Sequence, residues 1–576
     1  MRRSFDWSVL LPRTPFWMLV RHFVKRMFAS EQEDGAALSV GLGVVLALIA
    51  SPGALVSLFL MDKYSTLIQW FRGQLHFDPY RASISDEYFF VVLSMTVTGL
   101  VMVLRWNRLF PDRRDFANLA ALPFPIRQVF LANFVALLGL GLLFGLDLNV
   151  FSSVIFPAVV TMRDGTFSAF FRIGTSHLAS VLSASLFSFF GVFFLVGLLT
   201  LLLPKSLFRP VSIAVRMLLV VVLLSEFFSN LFIQLLSGHV LHPGVYLRWL
   251  PSFWFLGVYE NVAGLAGHAM AQLGQRALVG LALEIVLGIA AYVLCYRRQF
   301  LRLSESLEAV GAAHRRFRLP HPQWIPKLLF RSPFEYACIS FAAKVLARSE
   351  QHLMFFGGYL GIGLVIIAQT AFDGIRHSAN ARLPDVDFLS VPLFIAFFVV
   401  TGLRFAFDIP AALHANWMFR VSTDDPNPLP QSVARRLLLL LTVPWEVALI
   451  AAMTYRFGWS VMLLHVGTVV ALTMVLIETV LLRFRKIPFT CATQPEARQL
   501  MIRLLGALLG VLLFVPLVSS IERWMLADPW RFVSLAILLL VVWYLLRRSQ
   551  QEILTEEEVL TFEERPQAAF EVLKLT

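Results

Sequence analysis

Residues 174–203 read GTSHLASVLSASLFSFFGVFFLVGLLTLLL, thirty consecutive positions without a charged side chain. At about 1.5 Å per residue, a helix of this length is longer than the roughly 30 Å hydrocarbon core of a bilayer. The apolar residues do not alternate with period two, so the run does not read as a strand of an outer-membrane barrel. Inside lipid every backbone N–H and C=O needs an internal partner, and a helix provides one for each.

The rest of the chain has the same texture. Of its 576 residues 58% are hydrophobic and only 15% are charged. The mean hydropathy is +0.73. A soluble chain of this size needs more polar surface than that. Uncharged or nearly uncharged runs at 36–60, 88–104, 128–150, 174–203, 217–238, 277–296, 353–371, 388–403, 437–454, 458–482, 502–521 and 531–546 predict twelve spans. The apolar run FSSVIFPAVVTM (151–162) either lengthens the third span or lies at the interface. The fold class expected is therefore all-α and polytopic.

The net charge of +12 follows from loop composition and does not require a nucleic-acid partner. With an inner N-terminus, the inner segments hold 36 Lys and Arg and the outer segments hold 12. That bias predicts both termini in the cytoplasm. Cys295, Cys338 and Cys491 are too dispersed for a disulfide framework or a metal spacing.

Two segments resemble each other. TPFWMLVRHFVKRMFASEQ (14–32) and SPFEYACISFAAKVLARSEQ (332–351) share Pro-Phe at the start and Ser-Glu-Gln at the end, and each precedes the first span of a half. The expectation is an internal duplication with a first six-span half over 1–310, a second over 320–547 and an acidic tail over 548–576. In the first segment Phe16, Leu19, Val20, Phe23, Val24 and Met27 share one helical face, opposite Arg21, His22, Lys25 and Arg26. That pattern predicts an interfacial elbow helix before each half.

The loops after the second span of each half, RWNRLFPDRRDFANLAALPFPIRQVF (105–130) and RFAFDIPAALHANWMFRVSTDDPNPLPQSVARRL (404–437), mix aromatics, Pro and paired charges. They carry apolar residues that a solvated turn does not need, which suggests docking onto a partner. Second inner loops are expected at 204–216 and 483–499. The outer segment HVLHPGVYLRWLPSFWFLGVYENVAG (239–264) predicts helices at or dipping into the outer interface, broken at Pro243-Gly244 and Pro251.

This combination of elbow, six spans, inner loops and apolar re-entrant helices resembles the permease subunits of ABC exporters of the type 2 permease superfamily. FPDRRDFANLAALPFPIRQVFLANF (110–134) and LPSFWFLGVYE (250–260) are similar to segments of uncharacterised bacterial permease-like members. The resemblance implies a bacterial cytoplasmic membrane and a separate P-loop ATPase subunit as partner. It implies export of a hydrophobic or amphipathic substrate. It also implies coupling to the ATPase through Asp112, Arg113, Arg114 and Asp115, and through Asn416, Trp417 and Arg420. The chain departs from the pattern in carrying two six-span sets and in lacking a clear re-entrant segment in the second half.

No G-x-x-x-x-G-K-[ST], H-E-x-x-H or G-x-S-x-G occurs in the sequence. The chain therefore reads as neither an ATPase nor another familiar enzyme, with no cofactor expected. Carboxylates inside the spans are the most informative single residues, because a charge at the bilayer centre costs about 2.5–3.5 kcal/mol on insertion scales. They are Glu226, Glu284, Glu446 and Glu478, with Asp147 nearer an end. Each either lines a pathway or proton relay, or is a protonated or hydrogen-bonded packing residue. Two other readings stay open: an ion-coupled secondary transporter, and a membrane-embedded glycosyltransferase using Asp86 and Glu87.

Overall fold

The computed structural model describes residues 14–28, 50–64, 78–106, 109–110, 125–236, 249–308, 333–378, 383–411, 416–421, 429–482, 484, 486–490, 497–528 and 530–556. Among them there is no strand. Ten helices among the described residues are long and apolar enough to cross a membrane, so the chain is a multi-pass helical membrane protein. Of the two other expected spans, 36–60 is described only from residue 50. The run 502–521 lies within a helix over Ala497–Leu526. The chain divides into two compact units, Met1–Arg315 and Arg316–Thr576.

Unit 1 comprises α1 (Pro15–Phe28), α2 (50–64), α3 (Pro79–Leu104), α4 (Ile126–Asn149), α5 (Ser152–Val160), α6 (Phe167–Leu202), α7 (Lys205–Leu236), α8 (Pro251–Ala263) and α9 (His268–Glu308). The sequence pattern of α1 explains its seat. Leu19, Val20 and Phe23 are buried against Ala132 and Ala136 at the start of α4. We call this the elbow end of the unit. Helices α3 and α6 form the centre, with 78% and 50% of their apolar windows buried.

One open alternative is resolved and one expectation is revised. The run after α4 forms α5, and Val150 and Phe151 between them keep right-handed helical backbone angles, so 151–162 lengthens the third span. The expected inner loop 204–216 is mostly helix, because α7 already begins at Lys205. The apolar segment before the last helix is helical along its described part, as expected. Helix α8 begins with Pro251 in its first turn and is closed by Gly264 in the left-handed region (φ 73°). It buries Phe253, Phe255, Leu256 and Tyr259 among α3, α6 and α9. A Cβ on Gly257 would lie 2.6 Å from the Gly274 nitrogen and 2.6 Å from the Met270 carbonyl of α9. Two glycines therefore allow α8 and α9 to pack backbone to backbone.

Unit 2 comprises α10 (Pro333–Arg348), α11 (Glu350–Ser378), α12 (Val386–Ala406), α13 (Asn416–Val421), α14 (Leu429–Thr454), α15 (Trp459–Val480), α16 (Ala497–Leu526) and α17 (Arg531–Glu556). Helix α10 packs on α14 and α11, marking the elbow end of this unit. Helix α12 is the buried centre, with 72% of its apolar window covered, while no residue in that of α17 is buried within the chain. No counterpart of α8 stands between α16 and α17, which are joined by residues 527–530.

Candidate functional site: buried polar networks at the two ends of the bundles

In both units the helices alternate in direction, so early residues of α3, α6 and α15 lie at the end opposite the elbow. In unit 1 this end holds a dense polar network. Helix α3 is capped by Asp78, whose carboxylate accepts from the Tyr80 amide at 3.0 Å. Two turns later come Asp86 and Glu87, both buried. Asp86 accepts from Lys63 Nζ at 2.7 Å and from the Tyr64 hydroxyl at 2.9 Å. Burial and the adjacent Asp86 push the Tyr64 phenol far above its ordinary range, so it stays a neutral donor.

Glu87 Oε2 lies 2.6 Å from His177 Nδ1, with both side chains fully buried. The other ring nitrogen, Nε2, is 2.9 Å from Ser152 Oγ. Ser152 gives its own proton to the Asn149 carbonyl at 3.0 Å. It must therefore accept from Nε2–H, and this fixes the tautomer. A single proton is left in the Nδ1–Oε2 bond, and the pair is net neutral wherever that proton sits. Phe90 and Phe156 pack on the imidazole at 5.3 and 5.1 Å between centroids. Tyr259 of α8 donates to Ser83 at 3.0 Å, since Ser83 itself donates to the Tyr80 carbonyl. Glu226 of α7 lies against Ser252, which is 3.2 Å from the Tyr88 hydroxyl. Glu284 sits on α9, away from this network, with Oε2 meeting no hydrogen-bond partner among the described residues.

Unit 2 has a second pair at its corresponding end. His465 Nδ1 of α15 is 2.8 Å from Glu522 Oε1 of α16, again buried. Here His465 Nε2 and Glu522 Oε2 meet no hydrogen-bond partner among the described residues. Nearer the middle, Thr473 donates to Glu446 Oε1 at 3.0 Å, while Glu446 Oε2 has no such partner. Glu478, near the elbow end, is held by Arg435 at 2.7 Å, Arg547 at 3.4 Å and Gln550 at 2.9 Å.

The elbow end of unit 2 carries a knitted platform. Phe489 donates its amide to the Phe407 carbonyl at 3.1 Å and accepts from the Ala411 amide at 2.9 Å. It does so at φ 68°, a conformation that costs a side-chain-bearing residue on the order of 1–3 kcal/mol. Asp408 is bracketed by Lys486 at 2.7 Å and Arg404 at 2.9 Å. His352 Nε2 donates to the Ile409 carbonyl at 2.9 Å. The buried Asn416 amide donates to the Thr490 carbonyl. Arg436 ties α10 to α14 through Glu335 at 2.9 Å. The described residues 404–411, 416–421, 484 and 486–490 thus pack with α10 around Phe407, Phe419, Phe484 and Phe489.

Of the residues singled out by sequence, Asp112, Arg113, Arg114 and Asp115 lie outside the described residues. The start of their loop is anchored: Asn133 donates to the Leu109 carbonyl at 2.8 Å, and Phe110 stacks on Tyr292. Trp417 and Arg420 lie on α13 with Asn416. Sequence reasoning passed over His177, His465, Glu522, Asp408 and Lys486. The signal available was a lone histidine early in the fourth span of each half. It also passed over His377, Asp385 and Asp387, whose donor atoms lie within 4.8 Å of one another at the turn between α11 and α12. Arg523 occupies one Asp385 oxygen there.

No protein-family model matches the chain, and no curated protein or solved structure matches it.

Proposed function

We propose that the chain is the membrane-spanning permease subunit of an ABC exporter of the type 2 superfamily, with twelve spans and both termini in the cytoplasm of a bacterial inner membrane. Its elbow helices lie in the inner interface. A separate P-loop ATPase supplies the energy, and the cargo is hydrophobic or amphipathic.

The observation that carries this reading is the platform of unit 2. A surface that only has to cap a bundle needs no strained backbone. A surface that receives force from a partner must transmit it without deforming. Phe489 is held in the left-handed region by two backbone hydrogen bonds and by Phe407 packed at 5.3 Å. Strain of this kind persists only where the surroundings over-determine it. The Lys486–Asp408–Arg404 cluster then links the two inner loops to the end of α12, the buried helix at the centre of the unit.

Crosslinking in the native host followed by gentle extraction tests the reading. A P-loop ATPase co-purifies with the wild type. It is lost from Asp408→Arg, which sets three cations together while leaving the spans intact. Absence of any ATPase, together with uptake by the purified chain under an ion gradient, sinks the proposal and favours the secondary transporter.

A further inference from the structure

Helix α14 carries a polar stripe into the interior of unit 2. Gln431, Arg435, Thr442 and Glu446 are spaced by four, seven and four residues, which places them on one helical face. At 1.5 Å per residue the stripe covers about 22 Å of a core roughly 30 Å thick. Gln431, Thr442 and Glu446 are 4%, 2% and 1% exposed. Arg435 ends in its ion pair with Glu478 on α15. Gln431 Nε2, Thr442 Oγ1 and Glu446 Oε2 meet no hydrogen-bond partner among the described residues. Beyond Glu446 the line continues on α15 through Thr473, Thr468 and His465, and ends at Glu522 of α16. His465 Nε2 and Glu522 Oε2 are unpartnered in the same way.

One isolated buried polar atom is a packing cost of about 1–3 kcal/mol. Five in a file, in a lipid-embedded bundle, are a different matter. Buried polar atoms are satisfied by protein or by ordered water. A row of them is a site where water is retained, and titratable groups set along retained water pass protons. We propose that unit 2 contains a hydrated proton track running from the Arg435–Glu478 pair, past Thr442 and Glu446, to His465 and Glu522. The ligand is the proton, whichever motor drives the cargo, so the inference does not rest on the permease reading.

The charged groups of the packed elements fit this route. From α15 come His465 and Glu478, from α16 Glu522, and from α17 Arg547, which closes on Glu478. From α10 comes Glu335, engaged by Arg436, and from α12 Arg404, engaged by Asp408. No described cation faces Glu446, which leaves its carboxyl free to gain and lose a proton. Each step hands one proton from a nitrogen or oxygen to the next and returns every group to its starting form. Only the gradient is consumed.

The test uses the full chain in sealed vesicles of neutral and anionic phospholipid, with a pH-reporting dye inside and a potassium diffusion potential to drive protons inward. The wild type acidifies the lumen faster than protein-free vesicles. Glu446→Gln, nearly isosteric, falls to the protein-free rate, and Thr479→Val on the exposed face of α15 does not change it. If Glu446→Gln fails to purify as a single species, Thr442→Val decides, because it keeps the carboxyl and interrupts the track, and its rate falls. Wild-type vesicles no faster than protein-free ones overturn the proposal, as does a rate that survives both substitutions.

Discussion

The two units each bury a histidine–glutamate pair near the same end, and the pairs are built differently. The His177 ring is closed on every side, while Glu87 Oε1, like Glu522 Oε2, meets no hydrogen-bond partner among the described residues. Glu87 takes one ring nitrogen, Ser152 takes the other, and Phe90 and Phe156 cover the ring. His465 has Glu522 on one nitrogen and no hydrogen-bond partner among the described residues on the other. The first arrangement bolts α3 to α6. The second leaves an open donor–acceptor edge inside the bundle. The same two residue types therefore serve rigidity in one unit and exchange in the other, and the difference lies in the second neighbour.

The largest expected effect comes from breaking the closed pair. Glu87→Ala leaves His177 buried without its partner and lowers unfolding stability by roughly 3–5 kcal/mol, read from thermal unfolding in detergent. Glu522→Ala costs about 1–2 kcal/mol, because the hydrated track proposed above would solvate the partner it leaves behind. Equal losses would break the contrast. Pairing Glu87→Met with His177→Leu sharpens it, since replacing both partners by apolar side chains recovers stability to within about 1 kcal/mol of wild type.

A smaller effect concerns α8, the helix that unit 1 has and unit 2 lacks. Gly257→Ala forces α8 off α9 and destabilises unit 1 by about 1–3 kcal/mol. The corresponding measurement is the melting temperature of the variant against wild type. A neutral result would mean that the two helices relax freely from the 2.6 Å approach the added Cβ would make.

The smallest effect is a pH dependence on the same helix. Burial pushes the Glu260 carboxyl up to about 7 from its ordinary value of 4.5. The folded state thus prefers the protonated acid. The cost of ionising it is absent below the ordinary value, grows as pH rises toward about 7, and is constant above. Glu260→Gln cannot ionise, so it melts higher than wild type near pH 8 and equal to it near pH 4. An increment independent of pH would assign the effect to packing instead.

Much of the architecture was legible in the sequence. Charge-free runs such as 174–203 have one stable form in lipid, and α6 is that form. The amphipathic stripe of 15–28 foretold the face that α1 buries, because periodicity and burial are the same fact seen twice. Asp86 and Glu87 drew attention as an acidic pair, yet their partners could not be read. Lys63, Tyr64 and His177 are 22 to 90 positions away in the chain. Glu478 was singled out as an intramembrane carboxylate, but its partners Arg435 and Arg547, from two other helices, could not be read. The inner loop expected at 204–216 was misplaced because Lys205, Arg209 and Pro210 read as a polar break. Pro210 lies inside α7 at its sixth position, so it removes one backbone hydrogen bond without ending the helix.

The sequence by itself determined the solvent, the helical class and the division of the chain into apolar rods. Those follow from side-chain chemistry and backbone satisfaction, which are local. Only the tertiary structure decided which polar residues are locked and which are open. That depends on what a neighbouring helix presents within about 3 Å, and hydrogen bonds are lost over a few tenths of an ångström beyond that distance.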